Sequence, residues 1–318
     1  MSISMNSQSA LHEVESRCTQ ERPPRCQSLC PLGLDARAFL GHAAEGRWSD
    51  ARKQLERYLP LPGLLARDHP CEQGCLRGDL GGAVNLHGLE IFCTEHLGVQ
   101  TRSLPMPRKQ KRIAVIGAGL AGLVCAWDLV GKGYPVTVFH EGAPQAQLLS
   151  CWPVLAGAGA AALDAEWEAL GRRGVRFEQA RTDAACLQQA AGEYDGVLLD
   201  AGALPELAPA ESGMDAQILH WRDNICCAGW ASVTPTGHRF ASASRQAGQG
   251  RSAARTLERL VAGVSLTAAR DTDERSLFTE LDGIAPVERV LPVAETYSEA
   301  EARQEAGRCL RCDHFGYG

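Results

Sequence analysis

The chain has 318 residues, 45% hydrophobic and 22% charged, with a formal net charge of −6. That is ordinary globular composition, long enough for two domains, and the mild negative balance gives no general basic surface for nucleic acid. No apolar run is long enough to span a membrane, and "MSISMNSQSALHEVESRC" lacks the basic start and apolar core of a secretory signal, so a cytoplasmic setting is expected.

Residues 1–104 read as short helices joined by cysteine-bearing loops. "DARAFLGHAAEGRWSDARKQLERY" (35–58) has helical spacing of apolar residues, interrupted at Gly46. "LPLPG" (59–63) cannot continue that helix, because proline lacks the donor and collides with the preceding turn. After "HPCEQGC" and a glycine-rich loop, "AVNLHGLEIFCTEHL" (83–97) is expected to be helical. "PMPRKQKR" is polar, basic and proline-marked, and 105–111 is taken as a linker between domains.

"RIAVIGAGLAGLVCAWDLVGKGYPVTVFHEG" (112–142) reads as strand, glycine turn, helix and strand. Its runs "IAVIG" and "VTVF" suit buried parallel strands. "AALDAEWEALGRRGVRF" is a helix ending in a strand, and "YDGVLLDAGA" (194–203) and "NICCAGWA" (224–231) are further buried strands. "RFASASRQAGQGRSAARTLERLVAG" (239–263) reads as one long helix, residues 264–300 as irregular, and "SEAEARQEAGRCLRC" as a short helix. The fold expected is α/β: a small α-helical domain over 1–104, a Rossmann-like domain over 112–263, and a C-terminal tail over 264–318.

Gly117, Gly119 and Gly122 form GxGxxG between an apolar strand and a helix. The first glycine permits the tight turn, the second lets the backbone approach a pyrophosphate, and the third lets helix pack on strand; the helix start favours the phosphate charge. An acidic residue is expected at the end of the second strand to hold the ribose. His140 takes that place, with Glu141 one residue later.

Thirteen cysteines in a reducing compartment do not make a disulfide framework. Cys93, Cys125, Cys151, Cys186, Cys226 and Cys227 lie within apolar stretches and read as small buried side chains. The other seven gather at the two ends: Cys18, Cys26, Cys30, Cys71 and Cys75 early, Cys309 and Cys312 in "EAGRCLRCD" (305–313). The late pair is either idle or reaches back to the early cysteines.

In order along the chain, these segments resemble the flavin and iron–sulfur oxidoreductases that include the glutamate synthase small subunit and the N-terminal half of dihydropyrimidine dehydrogenase. "PPRCQSLCPLGLD" and "HPCEQGCLRGDL" resemble that family's two cysteine segments, and "RIAVIGAGLAGL" its FAD-binding turn. "YDGVLLDAGA", "ICCAGWA…AGQGRSAARTLERLVAG" and "SEAEARQEAGRCLRC" resemble its later strand, its last flavin strand and helix, and its frequent tail. The resemblance implies an FAD-binding domain over 112–263, with Gly117, Gly119, Gly122, Glu141 and Gly229 at the cofactor, preceded by an iron–sulfur domain.

The departures are specific. About twenty residues (204–223) stand where the family carries an NADPH domain, fewer than the roughly thirty of one strand–helix–strand unit. The double glycine after the second strand is missing from "PQAQLLSCWPVL", and the family's Gly-Asp reads Gly229-Trp230.

A [4Fe-4S] cluster needs four ligands. The resemblance assigns one cluster to an N-terminal RCxxC pair, Cys26 and Cys75, but Glu21 replaces the second cysteine of the pair that begins at Cys18. Cys309 and Cys312 are therefore expected to fold back and join Cys26 and Cys75, with Cys18, Cys30 and Cys71 in reserve. A second cluster is a further possibility, using Cys30, Cys71 and an oxygen ligand near Glu90. Its fourth position is Arg67, which has no lone pair to offer iron, and His69 is a substitute. Four cysteines also suit structural zinc.

These readings predict an electron-transfer subunit carrying FAD and one [4Fe-4S] cluster, or two. Its redox partner would be a ferredoxin or the subunits of a 2-oxoacid:ferredoxin oxidoreductase, formate dehydrogenase or hydrogenase. The alternative is a degenerate flavoprotein fold kept as a scaffold. No residue presents itself as a general acid or base, so no catalytic residue is assigned.

Overall fold

The computed structural model describes residues 24–65, 69–97, 106–143, 145, 148, 159–209, 214, 218–230, 232–233, 239–240, 242–267, 281 and 284–312. The helices are α1 (Arg25–Leu29), α2 (Ala36–Ala44), α3 (Trp48–Tyr58), α4 (Pro62–Leu65), α5 (Leu86–Leu97), α6 (Leu120–Gly131), α7 (Gly159–Arg173), α8 (Ala184–Glu193), α9 (Ala243–Val261) and α10 (Glu299–Ala306). The strands are β1 (Ile113–Ile116), β2 (Val136–His140), β3 (Val175–Gln179), β4 (Gly196–Asp200), β5 (His220–Arg222), β6 (Ile225–Ala228), β7 (Ser232–Val233) and β8 (Arg239–Phe240). Two compact units result, one from Met1–Leu55, His69–His96 and Asp271–Gly318, the other from Glu56–Asp68 and Leu97–Arg270.

In the first unit, the Asp35 carboxylate accepts the Ala38 N–H and so fixes the start of α2. Phe39, Leu40, Leu55, Leu89 and Phe92 form an apolar core, with Trp48 edge-on to Phe92 at 4.9 Å. α10 packs on α2 and begins with a capping box, in which Ser298 and Glu301 satisfy each other's backbone donors. The stretch 284–297 contains no helix or strand. It is pinned by its backbone: the Val287 N–H donates to Leu80 O at 3.1 Å, and the Arg289 N–H to Gly81 O at 2.7 Å.

In the second unit, a six-stranded sheet runs β3-β2-β1-β4-β6-β5, with β5 antiparallel at the edge and the rest parallel. β1 and β4 are buried along their whole length, which explains their continuous apolar sequence. The chain changes direction across the sheet between β1 and β4, the switch point where open α/β sheets place ligands. Only residues 201–224 separate β4 from β6, so no further nucleotide domain is inserted there.

Two boundaries differ from those read in the sequence. Residues 56–68, expected in the helical domain, group with the nucleotide unit, where the Gly63 N–H donates to Glu166 at 2.6 Å and Arg251 donates to Tyr58 O at 2.6 Å. The helix expected from residue 239 begins at Ala243, because Ser242 Oγ accepts the Arg245 N–H and caps it; β8 takes residues 239–240 instead. Among the described residues, no helix is long and apolar enough to cross a membrane.

Candidate functional site

Cys26 lies in α1, Cys75 between two short 3₁₀ turns (Pro70–Gly74 and Leu76–Asp79), and Cys309 and Cys312 just beyond α10. All four thiols line one cavity in the helical unit. Its remaining wall is largely apolar, from Pro24, Ala36, Leu40, Leu76, Val84 and Leu86, and Arg37 and Arg77 add positive charge. Burial, reinforced by the neighbouring thiols, pushes Cys26 and Cys312 up to about 12; burial also raises Cys309. Thiols held so high are protonated at neutral pH unless a metal takes the proton's place.

The tail reaches this cavity through a buried network. The Arg308 guanidinium donates to Gly81 O, Gly82 O and Val287 O at 3.0, 2.6 and 2.8 Å and pairs with Glu305 at 2.7 Å. Glu305 in turn accepts the Asn85 and Val290 N–H groups at 2.8 and 2.7 Å. Arg77, next along the chain from Leu76, donates to Arg308 O and Ala285 O, each at 2.9 Å. Cys309 follows Arg308 directly, so anchoring one places the other. Arg311 stands in the left-handed region (φ 46°) and turns the chain between the two tail cysteines.

Cys30 and Cys71 do not line that cavity. They lie close to each other and to Glu90, whose carboxylate is 2.9 Å from His69 Nε2, and Cys71 also lies near Cys26. Burial raises both thiols. Cys18, Arg67 and Cys151 lie outside the described residues. Cys93, Cys125, Cys226 and Cys227 are fully buried apolar fillers, and Cys186 is half-buried on α8. Among the described residues, no three His, Cys, Asp or Glu side chains gather tightly enough for a single metal ion. Four cysteines on one cavity wall match the number of ligands that a [4Fe-4S] cluster takes.

In the nucleotide unit, Gly117 (φ 97°) makes the turn after β1, and Gly119 precedes the first residue of α6. His140 ends β2, with its ring near Trp167 and Phe177, and Glu141 follows it, exposed. Gly229 (φ 96°) follows β6, its N–H donating to Gln249 at 2.8 Å.

The sequence reading passed over Asp200, the last residue of β4. Its carboxylate is fully buried and accepts the N–H groups of Gly122, Gly202 and Ala203 at 2.6, 2.9 and 3.3 Å. Desolvation pushes it up to about 6, although these amides and that of Gly119 favour its charge. The fold suits a dinucleotide, but the Gly119 and Gly122 amides of the glycine turn already face the chain's own anion, with which a diphosphate would have to share them. The one sign in the sequence was an acidic residue at the carboxyl end of a buried strand.

Residues 1–101 match the family model described as dihydropyrimidine dehydrogenase domain II, 4Fe-4S cluster, and residues 112–191 that of glucose inhibited division protein A. The two regions are thus an iron–sulfur domain and a domain of the FAD-binding type. The chain is 33% identical over 120 residues to the NADPH-Fe(3+) oxidoreductase subunit beta of Geobacter sulfurreducens, covering 36% of this chain and 18% of that one. It is 31% identical over 142 residues to the NADP(+)-dependent formate dehydrogenase subunit beta of Moorella thermoacetica, covering 36% and 20%. With the glutamate synthase [NADPH] small chain of Halomonas elongata it shares 28% identity over 224 residues, covering 64% and 45%. The chain therefore spans less than half the length of each of these relatives. Two domain matches in this order, on a sheet with no inserted second nucleotide domain, relate this chain over part of its length to the glutamate synthase small chain and to other FAD and iron–sulfur oxidoreductase subunits.

Proposed function

We propose that this chain is an electron-transfer subunit of a multi-subunit oxidoreductase, with a [4Fe-4S] cluster held by Cys26, Cys75, Cys309 and Cys312. The observation that carries the reading is the single cavity lined by those four thiols, two from each end of the chain. Such a cluster supplies one-electron transfer when bound. The chain's own residues shape what it can do. The cavity wall is largely apolar, and Arg37 and Arg77 offset the negative charge of a thiolate-ligated cluster. The Arg308–Glu305 network holds the tail so that its thiols do not have to be ordered when iron arrives. Partner subunits carry the substrate chemistry; the relatives' names as oxidoreductase subunits support that division of labour. Glu141, exposed beyond β2, is still a candidate FAD contact, whereas the glycines at 117, 119, 122 and 229 stand around Asp200.

The test is iron and acid-labile sulfide per chain in anaerobically purified protein, with electron paramagnetic resonance after reduction. The wild type should hold one [4Fe-4S] cluster, and the Cys309→Ser, Cys312→Ser double variant should lose most of its iron. Unchanged cluster content in the double variant would reject this ligand set.

A second reading is favoured by Asp200 in the glycine turn: an iron–sulfur subunit whose nucleotide domain serves as a docking scaffold. Flavin content of the purified protein separates the two.

A further inference from the structure

The glycines of a nucleotide turn are ordinarily explained by the space a diphosphate needs. Here they crowd around a side chain of the protein itself. A Cβ added at Gly119 would lie 2.7 and 2.9 Å from the two Asp200 carboxylate oxygens, and one at Gly122 would lie 2.9 Å from Oδ2. At Gly229 and Gly202 it would meet Oδ1 at 2.5 and 3.1 Å, and at Gly117 it would meet the Asp200 Cβ at 3.3 Å. Five glycines from three separate segments therefore make room for one carboxylate.

That carboxylate cannot turn aside. Oδ1 accepts the Gly202 and Ala203 N–H groups and Oδ2 the Gly122 N–H, and the residue has no exposed surface. It stands at the start of the twelve-residue α6, where the helix dipole and unpaired amides attract negative charge. A full negative charge of the chain already answers that attraction. A diphosphate brought to the same helix start would meet an anion at close range in a poorly solvated place, where repulsion is strong. The position is also the switch point of the sheet, where the fold would otherwise receive its ligand.

We propose that Asp200 is a built-in competitor for the dinucleotide diphosphate, so that this FAD-type domain holds flavin weakly and exchangeably. The inference concerns the nucleotide unit and does not depend on which cysteines hold iron. The glycines of the turn leave the room that Asp200 takes, whether or not a nucleotide is present.

The test uses the full chain, purified as wild type, Asp200→Ala and Asp200→Asn, with flavin counted after gel filtration and FAD binding titrated by fluorescence quenching. Iron and sulfide measured on the same samples report on the cluster separately. The wild type should emerge with well under one flavin per chain. Asp200→Ala, and Asp200→Asn through loss of charge, should bind FAD at least tenfold more tightly. Stoichiometric FAD retained by the wild type through gel filtration overturns the proposal. So does a folded Asp200→Ala or Asp200→Asn protein, judged by circular dichroism and a cooperative melt, whose FAD affinity is no higher than the wild type's. If neither variant folds, the wild-type flavin count decides alone.

Discussion

Arg308 Nη1 lies 2.7 Å from Glu305 Oε1, with both side chains closed off from solvent. A buried ion pair of this kind is costly to break from one side, because the remaining charge is left without a partner. The pair also secures the loop carbonyls at Gly81 and Gly82 and the amides of Asn85 and Val290, and so ties the cysteine-bearing tail to the rest of the helical unit.

Arg308→Met should destabilise the helical unit by about 3–5 kcal/mol, since Glu305 would keep its burial and lose its counter-charge. Arg308→Met combined with Glu305→Met should be milder than the single change. Urea denaturation followed by circular dichroism measures both, and a double variant less stable than the single one would contradict the assignment.

Cys75→Ala and Cys71→Ala should behave differently although the residues are four apart. Cys75 lines the shared cavity, whereas Cys71 packs beside Cys30 and Glu90. Iron per chain should fall nearly to background in Cys75→Ala and stay at the wild-type value in Cys71→Ala. Equal loss in both would point to a ligand set that includes Cys71.

The pH dependence of stability should carry the mark of Asp200. Its carboxyl is raised from 3.8 to about 6 in the folded protein. A raised acid binds its proton more tightly when folded, so its contribution is fully present below about pH 4 and lost as pH rises through about 6. The span of that contribution is on the order of 3 kcal/mol. The stability difference between wild type and Asp200→Asn should therefore move in favour of the wild type on acidification from pH 7 to pH 5. A flat difference across that range would show that the carboxyl titrates at its ordinary value.

Gly250→Ala should separate α9 from α6. A Cβ at this position would meet Ala121 O at 2.2 Å, which is backbone and cannot swing away. Overpacking of this kind costs about 1–3 kcal/mol or more. Differential scanning calorimetry should show a lowered melting temperature, while Gly192→Ala, on the open side of α8, should change little or stabilise.

The nucleotide fold was legible because its signals are local. The apolar run 113–116, the glycines at 117, 119 and 122, and the next apolar run at 136–139 lie within one short window, and their buried strands require that composition. The tail anchor was not legible. Arg77, Glu305 and Arg308 find partners more than two hundred residues away, and the stretch 284–297 is held by side chains and two backbone bonds, with no periodicity to read. Residues 56–68 joined the nucleotide unit through Gly63–Glu166 and Tyr58–Arg251, pairings that composition does not announce. Asp200 was hidden differently: within "GVLLD" it looks like the polar end of an apolar strand, and only the backbone amides gathered around it reveal what it does.

The helical unit is assembled from three stretches of chain, the last beginning at Asp271, whereas nearly all of the nucleotide unit is one run from Leu97 to Arg270. During translation the sheet can therefore close while the ribosome is still making the tail. Cys26 and Cys75 leave the ribosome well before Cys309, by on the order of ten seconds to a minute at about 5–20 residues per second. If the proposed ligand set holds, the early pair is half of a site until the tail is made, and a cluster bound by all four thiols forms only after Cys312 has left the ribosome.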